Sequence, residues 1–406
     1  MQPGQSLAIV TQDPTNYGGV LRLVEYLYRR AVAGGIEPTL VHYARFSVHP
    51  ELNASSLNLL RVELNLWPRF VRYDFQDMRA IAIGACLPEW EPNRIRTNHL
   101  WKRVLNLFDG FILVTGSAHT GLPLVQCNRP FVAWVSSTVE SDRRERLKHQ
   151  AGIAALSERF GLSRVKKAEQ LVLNHASRVL AVSNNARDEV SQLSSKPVEV
   201  ATFPIDTDLF APQPGALSNE IPVQSTSHSN DTSAATFLFV GRANDPRKRI
   251  DLFFDSCDKL RTAHPALSFR AQVISQIRPS SLGRTFEVEY IPLVSREELI
   301  GLYRQATALV LTSEQEGLGI AAMEAMACGL PVISTRCGGP ETFIEDNISG
   351  FLVTDDANMI ARTMATVATD SLLRARISEA SRKAILNNFS EHVWNPRFDE
   401  LIQNLP

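Results

Sequence analysis

Two glutamates, Glu316 and Glu324, are separated by seven residues in a stretch that follows the apolar, strand-like run Ala308–Leu311. Glycines after this run predict a tight turn, and Ile320–Cys328 is rich in helix formers, with Gly329 as a stop signal. The pattern places Glu316 at a helix N-terminus, where free backbone N–H groups and the helix dipole favour an anionic ligand. Glu324 would lie roughly 12 Å further along that helix.

One carboxylate could therefore hold each end of an extended ligand. The alternative is an ordinary buried strand and helix that carry two solvent-facing acids.

A basic turn follows another strand. After Phe237–Val240 the chain reads Gly241, Arg242, Ala243, Asn244, Asp245, Pro246, Arg247, Lys248 and Arg249. Open α/β sheets bind ligands at the carboxyl ends of their strands, and arginine and lysine together suit a diphosphate. The alternative is a solvated basic turn. Cys337–Glu341 follows the strand expected at 331–335, after the glutamate pair. It predicts a third backbone-rich turn on the same edge, so that the three turns would form a cleft.

Length, charge and cysteine content limit the class of protein. A chain of 406 residues is long enough for two domains of comparable size. Its net charge of −1 gives no electrostatic reason to expect nucleic acid as a partner. The five cysteines form no C-x-x-C pair, so neither a disulfide framework nor a zinc site is indicated. The first apolar run, Leu7–Val10, is too short for a signal core or a membrane span, which predicts a cytoplasmic protein.

The remaining elements alternate as in a mostly parallel α/β fold. A glycine-rich turn containing Gly18 and Gly19 follows the first strand and begins a helix. Ser295 with Glu298 predicts a capping box at the start of another helix. Further strands in the first half are expected at 39–43, 110–114, 131–135, 178–182 and 198–203, with a helix at 154–176. In the second half, strands are expected at 236–240, 269–274, 286–291, 308–311, 331–335 and 350–353, and helices at 250–262, 296–305, 320–328, 358–368 and 371–387.

These residues resemble glycosyltransferase family 4, the retaining nucleotide-sugar transferases of GT-B architecture. The most specific element is the E-x7-E signature, here Glu316 to Glu324, and the resemblance spans nearly the whole chain. Supporting segments are Gly241 to Lys248, Gly338 to Glu341, Ser349 to Val353, Ala181 to Asn184 and Pro204 to Phe210.

The resemblance implies a fold of two Rossmann-like domains that face a central cleft. It divides the chain into an N-terminal acceptor-binding domain (1–205), a linker (206–235) and a C-terminal nucleotide-sugar-binding domain (236–385). A C-terminal helix (386–406) follows, and its packing against the first domain is one possibility.

The resemblance also implies site roles. Arg242 and Lys248 would hold the donor diphosphate and stabilise the leaving group, with Arg247 as an alternative phosphate contact. Glu316 would face the donor sugar and Glu324 the ribose hydroxyls. Backbone groups of Gly241, Gly317, Leu318 and Gly319 would bind the donor, and Gly18 and Gly19 would approach the diphosphate. Preorganised cations and N–H donors would stabilise the developing negative charge, so neither a metal nor another cofactor is expected.

The sugar site departs from the family pattern, in which a histidine contacts the donor sugar. Many members carry this histidine after the strand that corresponds to 131–135, where this chain has Trp134, Val135, Ser136 and Ser137. Ser136 and His119 are candidate acceptor or sugar contacts, although a lone loop histidine can also be structural or merely exposed.

A basic segment, 143–148 with Arg164, Lys166 and Lys167, lies near an apolar element of Leu100, Trp101, Val104 and Leu105 in the sequence. Such a patch would suit a lipid-linked acceptor and a peripheral contact with the inner face of a membrane. A solvated helix face compensated by Glu145 and Glu169 is the alternative.

The leading hypothesis is a retaining, metal-independent transfer of a hexose-type sugar from a nucleotide diphosphate to a glycan, lipid-linked or small-molecule hydroxyl. The leaving phosphate would accept the acceptor's proton. A glycoside phosphorylase of the same fold and a nucleotide-sugar-binding protein without turnover are the alternatives. The base, the sugar, the acceptor and the oligomeric state are left open.

Overall fold

The computed structural model describes residues 1–15, 18–55, 67–88, 93, 96–148, 153–213, 234–280 and 283–406, without the side chains of 145–148 and 153–160. The described chain divides into two compact units. The first comprises Met1–Phe203 together with Asn395–Pro406, and the second is Pro204–Trp394.

The first unit contains an eight-stranded sheet in the order β3-β4-β2-β1-β5-β6-β7-β8. Its pairings are parallel except that β3 and β4 are antiparallel. The strands are β1 (Ser6–Thr11), β2 (Glu37–Tyr43), β3 (Phe70–Phe75), β4 (Met78–Ile83), β5 (Gly110–Thr115), β6 (Val132–Val135), β7 (Arg178–Ala181) and β8 (Val198–Val200). The apolar runs of β1, β5 and β6 are buried because helices cover both faces of a parallel sheet.

The hairpin of β3 and β4 is absent from the sequence prediction. Arg72 and Asp74 interrupt the apolar residues of β3, as expected for a strand with one solvated face, so no continuous apolar run marks it. The turn uses Gln76 and Asp77, both with positive φ.

The helices of the first unit lie between these strands. They are α1 (Gly19–Ala33), α2 (His99–Leu105), α3 (Leu122–Gln126), α4 (Val139–Lys148), α5 (Ile153–His175) and α6 (Asn184–Ser191). Apolar side chains from β1, β5, β6, β7, α2 and α5 form one large core of this unit.

The second unit contains a parallel six-stranded sheet in the order β11-β10-β9-β12-β13-β14. The strands are β9 (Ala235–Val240), β10 (Phe269–Ile274), β11 (Glu287–Ile291), β12 (Ala308–Leu311), β13 (Val332–Thr335) and β14 (Phe351–Val353). Among its described residues, five α-helices lie wholly within this unit: α7 (Ile250–Ala263), α8 (Arg296–Gln305), α9 (Ile320–Ala327), α10 (Ala357–Thr369) and α11 (Ser371–Asn388).

The boundaries agree closely with the sequence prediction in this half of the chain. The predicted capping box is present: the Ser295 hydroxyl accepts from the Glu298 backbone, and the Glu298 carboxylate accepts from the Ser295 backbone. One prediction is wrong in detail, because the helix after β12 begins at Ile320 and Glu316 lies in the preceding loop. The estimate of a wholly helical distance between Glu316 and Glu324 therefore does not hold.

The final helix, α12 (Glu391–Gln403), crosses the boundary between the units: its first residues group with the second unit and the rest with the first. The segment from Asn395 groups with the first unit, so the units meet in sequence at 203/204 and at 394/395. Residues 206–213 of the predicted linker group with the second unit, and 214–233 lie outside the described residues. Among the residues that the structure describes, no helix combines the length and the apolar composition that a bilayer crossing requires.

Candidate functional site

Three turns lie together at the carboxyl edge of the second sheet. In this sheet β10 lies on one side of β9 and β12 lies on the other, so the strand order reverses at β9. Because the strands are parallel, the turns after β9, β12 and β13 share one edge, the usual ligand edge of an open α/β sheet. The predicted basic turn, glutamate loop and glycine turn are therefore neighbours in space.

The turn after β9 carries two arginines that share one carboxylate. Asp245 caps the short 3-10 helix Pro246–Lys248 by accepting from the Arg247 backbone at 3.1 Å. Its two oxygens also accept from the Arg247 guanidinium at 3.0 and 2.8 Å, and Arg242 lies 2.8 Å from Asp245 Oδ2. Burial alone would raise the pKa of Asp245, but the hydrogen bonds from Arg247 and the charge of Arg242 outweigh it and lower the pKa below its ordinary value. Asp245 therefore stays ionised and orients both cations.

Lys248 joins this turn to the glutamate loop. Its ammonium group donates to Glu316 Oε1, which also accepts from the Ser313 hydroxyl at 2.6 Å. Neither member of the ion pair faces solvent freely, since the side chains of Lys248 and Glu316 are 19% and 11% exposed. The Thr312 hydroxyl, which donates to the carbonyl oxygens of Lys248 and Arg249, ties the two loops further together.

The third turn contacts the glutamate loop through its backbone. The Glu316 N–H donates to the Cys337 carbonyl at 2.9 Å, and a Cβ added to Gly339 would lie 2.5 Å from backbone atoms of Leu318. Only glycine permits this approach. Burial raises the pKa of the Cys337 thiol well above its usual range, so the thiol remains protonated and is not a nucleophile.

Glu324 is buried on α9 and is only 5% exposed. The Tyr303 hydroxyl, which comes from α8, donates to Glu324 Oε2 over 3.4 Å. The alternative of two solvent-facing acids is therefore wrong, because both glutamates are largely buried and have polar partners. No sequence signal pointed to Tyr303, which reads as an ordinary apolar position of an amphipathic helix.

The other predicted donor contacts lie on the same loops or in the first unit. Gly241 bonds through its N–H to the Ile274 carbonyl, and Gly319, with φ of 89°, immediately precedes α9. Gly18 and Gly19 lie at the start of α1. Gly18 is extended, and a Cβ added to it would have no heavy atom within 4 Å among the described residues. Packing against the described residues therefore does not require glycine there.

His119 and Ser136 lie on neighbouring turns of the first unit, after β5 and β6. The Ser136 N–H donates to the carbonyls of Thr115 and Gly116, each at 3.1 Å. His119 lies on the short 3-10 helix Ala118–Gly121, which follows β5, and its Nδ1 is 2.9 Å from the Ser117 hydroxyl. Trp134, the residue near the expected histidine position, is fully buried and donates to the Ala201 carbonyl, so it is a core residue.

Part of the prediction of a basic surface is wrong. Arg143 is 3% exposed and Glu169 is 1% exposed, so Glu169 does not compensate a solvated helix face. Instead, it accepts hydrogen bonds from the backbone at the start of α4. The apolar element offered as a lipid contact is core, since its four side chains are buried: Leu100, Trp101, Val104 and Leu105.

Comparison with known proteins identifies the class of the second unit. Residues 234–370 match the family described as "Glycosyl transferases group 1", a match that lies wholly within the second unit. The second unit is therefore a glycosyl transferases group 1 domain.

Two curated relatives carry the name D-inositol 3-phosphate glycosyltransferase. The protein from Salinispora arenicola is 30% identical over 256 residues, which cover 58% of this chain and 55% of the relative. The protein from Geodermatophilus obscurus is 32% identical over 228 residues, or 51% and 49% of the two chains. The chain spans about half the length of the curated relatives it matches.

Solved structures confirm the predicted fold class. Sucrose-phosphate synthase from Thermosynechococcus elongatus matches with a TM-score of 0.71 and 16% identity, over 98% of each chain. Anabaena Alr3699/HepE in complex with UDP-glucose matches with a TM-score of 0.70 and 15% identity, over 99% of this chain and all of the other. The fold is GT-B, with two Rossmann-like α/β units.

Proposed function

We propose that this protein is a glycosyltransferase that moves a sugar from a nucleotide-diphosphate sugar to a hydroxyl group, with retention and without a metal. The observation that carries the proposal is the group of Arg242, Lys248 and Glu316 at the carboxyl edge of a glycosyl transferases group 1 domain. Two cations whose partners already fix their orientation suit a diphosphate leaving group, because they need little reorganisation as negative charge develops.

On the donor side, Arg242 and Lys248 are proposed to bind the diphosphate and Glu316 the sugar. Glu324 would accept from the ribose hydroxyls, with its carboxylate held by Tyr303. A bound diphosphate would compete with Glu316 for Lys248 and so release that carboxylate for the donor sugar.

On the acceptor side, the turns that carry His119 and Ser136 are the proposed contacts in the first unit. The proposed acceptor class is the one predicted from the sequence: a glycan, a lipid-linked acceptor or a small molecule. D-inositol 3-phosphate, named in the curated relatives, is a compound to test first. A cytoplasmic location, with or without a peripheral membrane contact, is part of the same proposal.

Thermal-shift binding tests the donor, because a ligand that binds only the folded protein raises its melting temperature. We expect one nucleoside diphosphate and its sugar to raise the melting temperature equally with and without magnesium. UDP-glucose, bound by Alr3699/HepE, is the first compound of the panel. A shift with inorganic phosphate alone would favour a phosphorylase, and donor binding without hydrolysis or transfer would favour a binding protein.

Glutamate variants separate binding from turnover. We expect Glu324→Ala to weaken nucleotide binding about tenfold or more, because a buried acceptor of the ribose hydroxyls is lost. Glu316→Ala should lower kcat more than it raises the donor Kd. Binding is measured by calorimetry and kcat by release of the nucleoside diphosphate. Equal and negligible effects of the two changes would refute the assignment.

A further inference from the structure

Glu169 lies on α5 in the first unit, yet its carboxylate serves two other segments of the chain. Its two oxygens accept from the Val139 N–H at 3.0 and 3.1 Å, at the first residue of α4. The backbone of Ala118, at the start of the turn that carries His119, also interacts with this carboxylate and lowers its pKa. One buried side chain thus connects the turn after β5 with the chain that leaves β6.

These two segments carry the proposed acceptor or sugar contacts. His119 follows Ala118 directly, and Ser136 lies three residues before Val139. The segments also contact each other, because the Ser137 N–H donates to the Gly116 carbonyl at 2.8 Å. Their mutual position therefore depends on the backbone hydrogen bonds between them and on the carboxylate with which both interact.

From this geometry we infer that Glu169 is a positioning residue, whose carboxylate fixes the turns that present His119 and Ser136. The inference rests on the proposed function, since it assigns Glu169 to the same site. Glu169 is 1% exposed and its carboxylate is taken up by the chain's own backbone, so we assign it no direct contact with the ligand.

The protonation state of Glu169 should control this contact. Burial raises its pKa to about 7, against the opposing effects of the Val139 and Ala118 hydrogen bonds and of the charges of Arg143 and Lys166. Because these backbone hydrogen bonds lower the pKa, linkage requires that protonation weakens them in return. As long as Glu169 stays buried, the carboxylate form holds the turns more tightly than the neutral form does; global unfolding, which exposes the group to water, has the opposite pH dependence.

Other ionisable groups surround this contact. Lys166 lies on the same helix and bonds to Glu140 of α4, whose pKa the Lys166 hydrogen bond lowers despite the small opposing effect of burial. Glu189 of α6 accepts from Ser141 and Thr138 near the start of α4. Arg143 of α4, His119 of the turn and Tyr43 of β2, which packs on the Val139 cluster, complete the set on the described residues.

The first test is amide hydrogen exchange on the full chain, followed by mass spectrometry at pH 6 and pH 8. After correction for the intrinsic pH dependence of exchange, we expect peptides covering 116–121 and 137–142 to be less protected at pH 6. In Glu169→Gln the protection should no longer change with pH. Glu189→Gln is the matched control, because Glu189 binds hydroxyl groups near α4 and does not contact the Ala118 turn; it should retain the wild-type response.

The second test is the pH profile of UDP release from UDP-glucose. We expect the wild-type kcat to fall about tenfold from pH 8 to pH 6, since a small displacement of site residues can cost that much. Glu169→Gln should be about tenfold slower at pH 8 and flat over this range, with the KM for UDP-glucose within about twofold of wild type.

The outcomes are distinguishable. Wild-type and Glu169→Gln proteins with the same exchange and pH profile would overturn the inference, as would protection that is greater at pH 6. A wild-type protein that releases no nucleoside diphosphate from any donor would refute the proposed function, whereas the exchange experiment would still decide whether Glu169 holds the two turns.

Discussion

At the scale of single residues, the candidate donor site is organised by opposite charges that satisfy one another. Asp245 holds two arginines and Glu316 holds Lys248. Removing one member of a largely buried pair leaves its partner uncompensated, which costs more than the pair itself contributes. We therefore expect each of these side chains to affect stability as well as the proposed donor binding.

Lys248→Ala tests this double role. We expect a loss of UDP release of about a hundredfold or more, because the leaving diphosphate loses a preorganised cation. The free energy of unfolding should also fall, since Glu316 loses its charged partner while it keeps the hydrogen bond from Ser313. Steady-state kinetics and urea unfolding measure the two effects. Lys259→Ala, at an exposed position of α7, is the control and should change neither.

The raised pKa of Glu169 predicts a pH-dependent stability. With an ordinary pKa of 4.5 and a folded-state pKa of about 7, the native state binds more protons than the unfolded state between these values. The contribution of Glu169 to the free energy of unfolding is therefore greatest below pH 4.5. It falls by roughly 3 kcal/mol in total as the pH rises through 7. Urea unfolding of wild type and Glu169→Gln from pH 5 to pH 8 should show this difference in slope. Parallel stability curves would contradict the prediction.

At the scale of elements, the site depends on how closely the loops after β12 and β13 approach. Glu316 and Gly338 form an isolated parallel bridge, so the backbone continues to pair beyond the ends of the two strands. Loops that are paired in this way hold backbone N–H groups in a fixed position, which a diphosphate or sugar site requires.

Gly339→Ala tests this approach. The new Cβ would meet backbone atoms of Leu318 at 2.5 Å, so one of the two loops must move. We expect a loss of about 1–3 kcal/mol in the free energy of unfolding and weaker nucleotide binding. Gly301→Ala provides the control, because nothing lies within 4 Å of its added Cβ on α8 and alanine favours a helix. Unfolding and calorimetry should show no loss for the control. Equal behaviour of the two variants would refute the explanation.

At the scale of the whole molecule, the C-terminal segment returns to the unit that begins the chain. Arg30 of α1 forms a forked ion pair with Asp399, and the Tyr26 hydroxyl donates to Asn395 at 2.8 Å. The buried Phe398 ring packs near Trp134 and Tyr26, with ring centroids 4.7 and 5.1 Å away. Phe398 is therefore part of the core of the first unit.

Phe398→Ala should destabilise the first unit by about 3–5 kcal/mol, because it leaves a cavity between two aromatic rings. Hydrogen exchange should show lower protection in β1, β6 and α1, while the sheet of the second unit keeps its protection. Leu372→Ala, at a side chain that is 83% exposed, is the control and should leave both units unchanged. Loss of protection confined to the second unit would contradict the assignment of this segment.

The sequence by itself determined the order of strands and helices in the second unit and the turns that carry its charged residues. Local signals were sufficient there, because buried parallel strands read as continuous apolar runs and capping residues mark helix ends. Charged residues interrupt β3, and the hairpin that it forms with β4 was missed although β4 carries the apolar residues Ala80–Ile83.

Only the tertiary structure decided which side chains meet. Glu169 and Arg143 look like solvated helix residues in the sequence, and Tyr303 looks like part of an apolar stripe, but all three are buried beside polar partners. Local periodicity reports which face of a helix is covered, whereas the partner of a buried charge comes from segments tens of residues away. The pKa of Glu169 and the hydrogen-bonded position of Glu324 are therefore properties of the packed molecule.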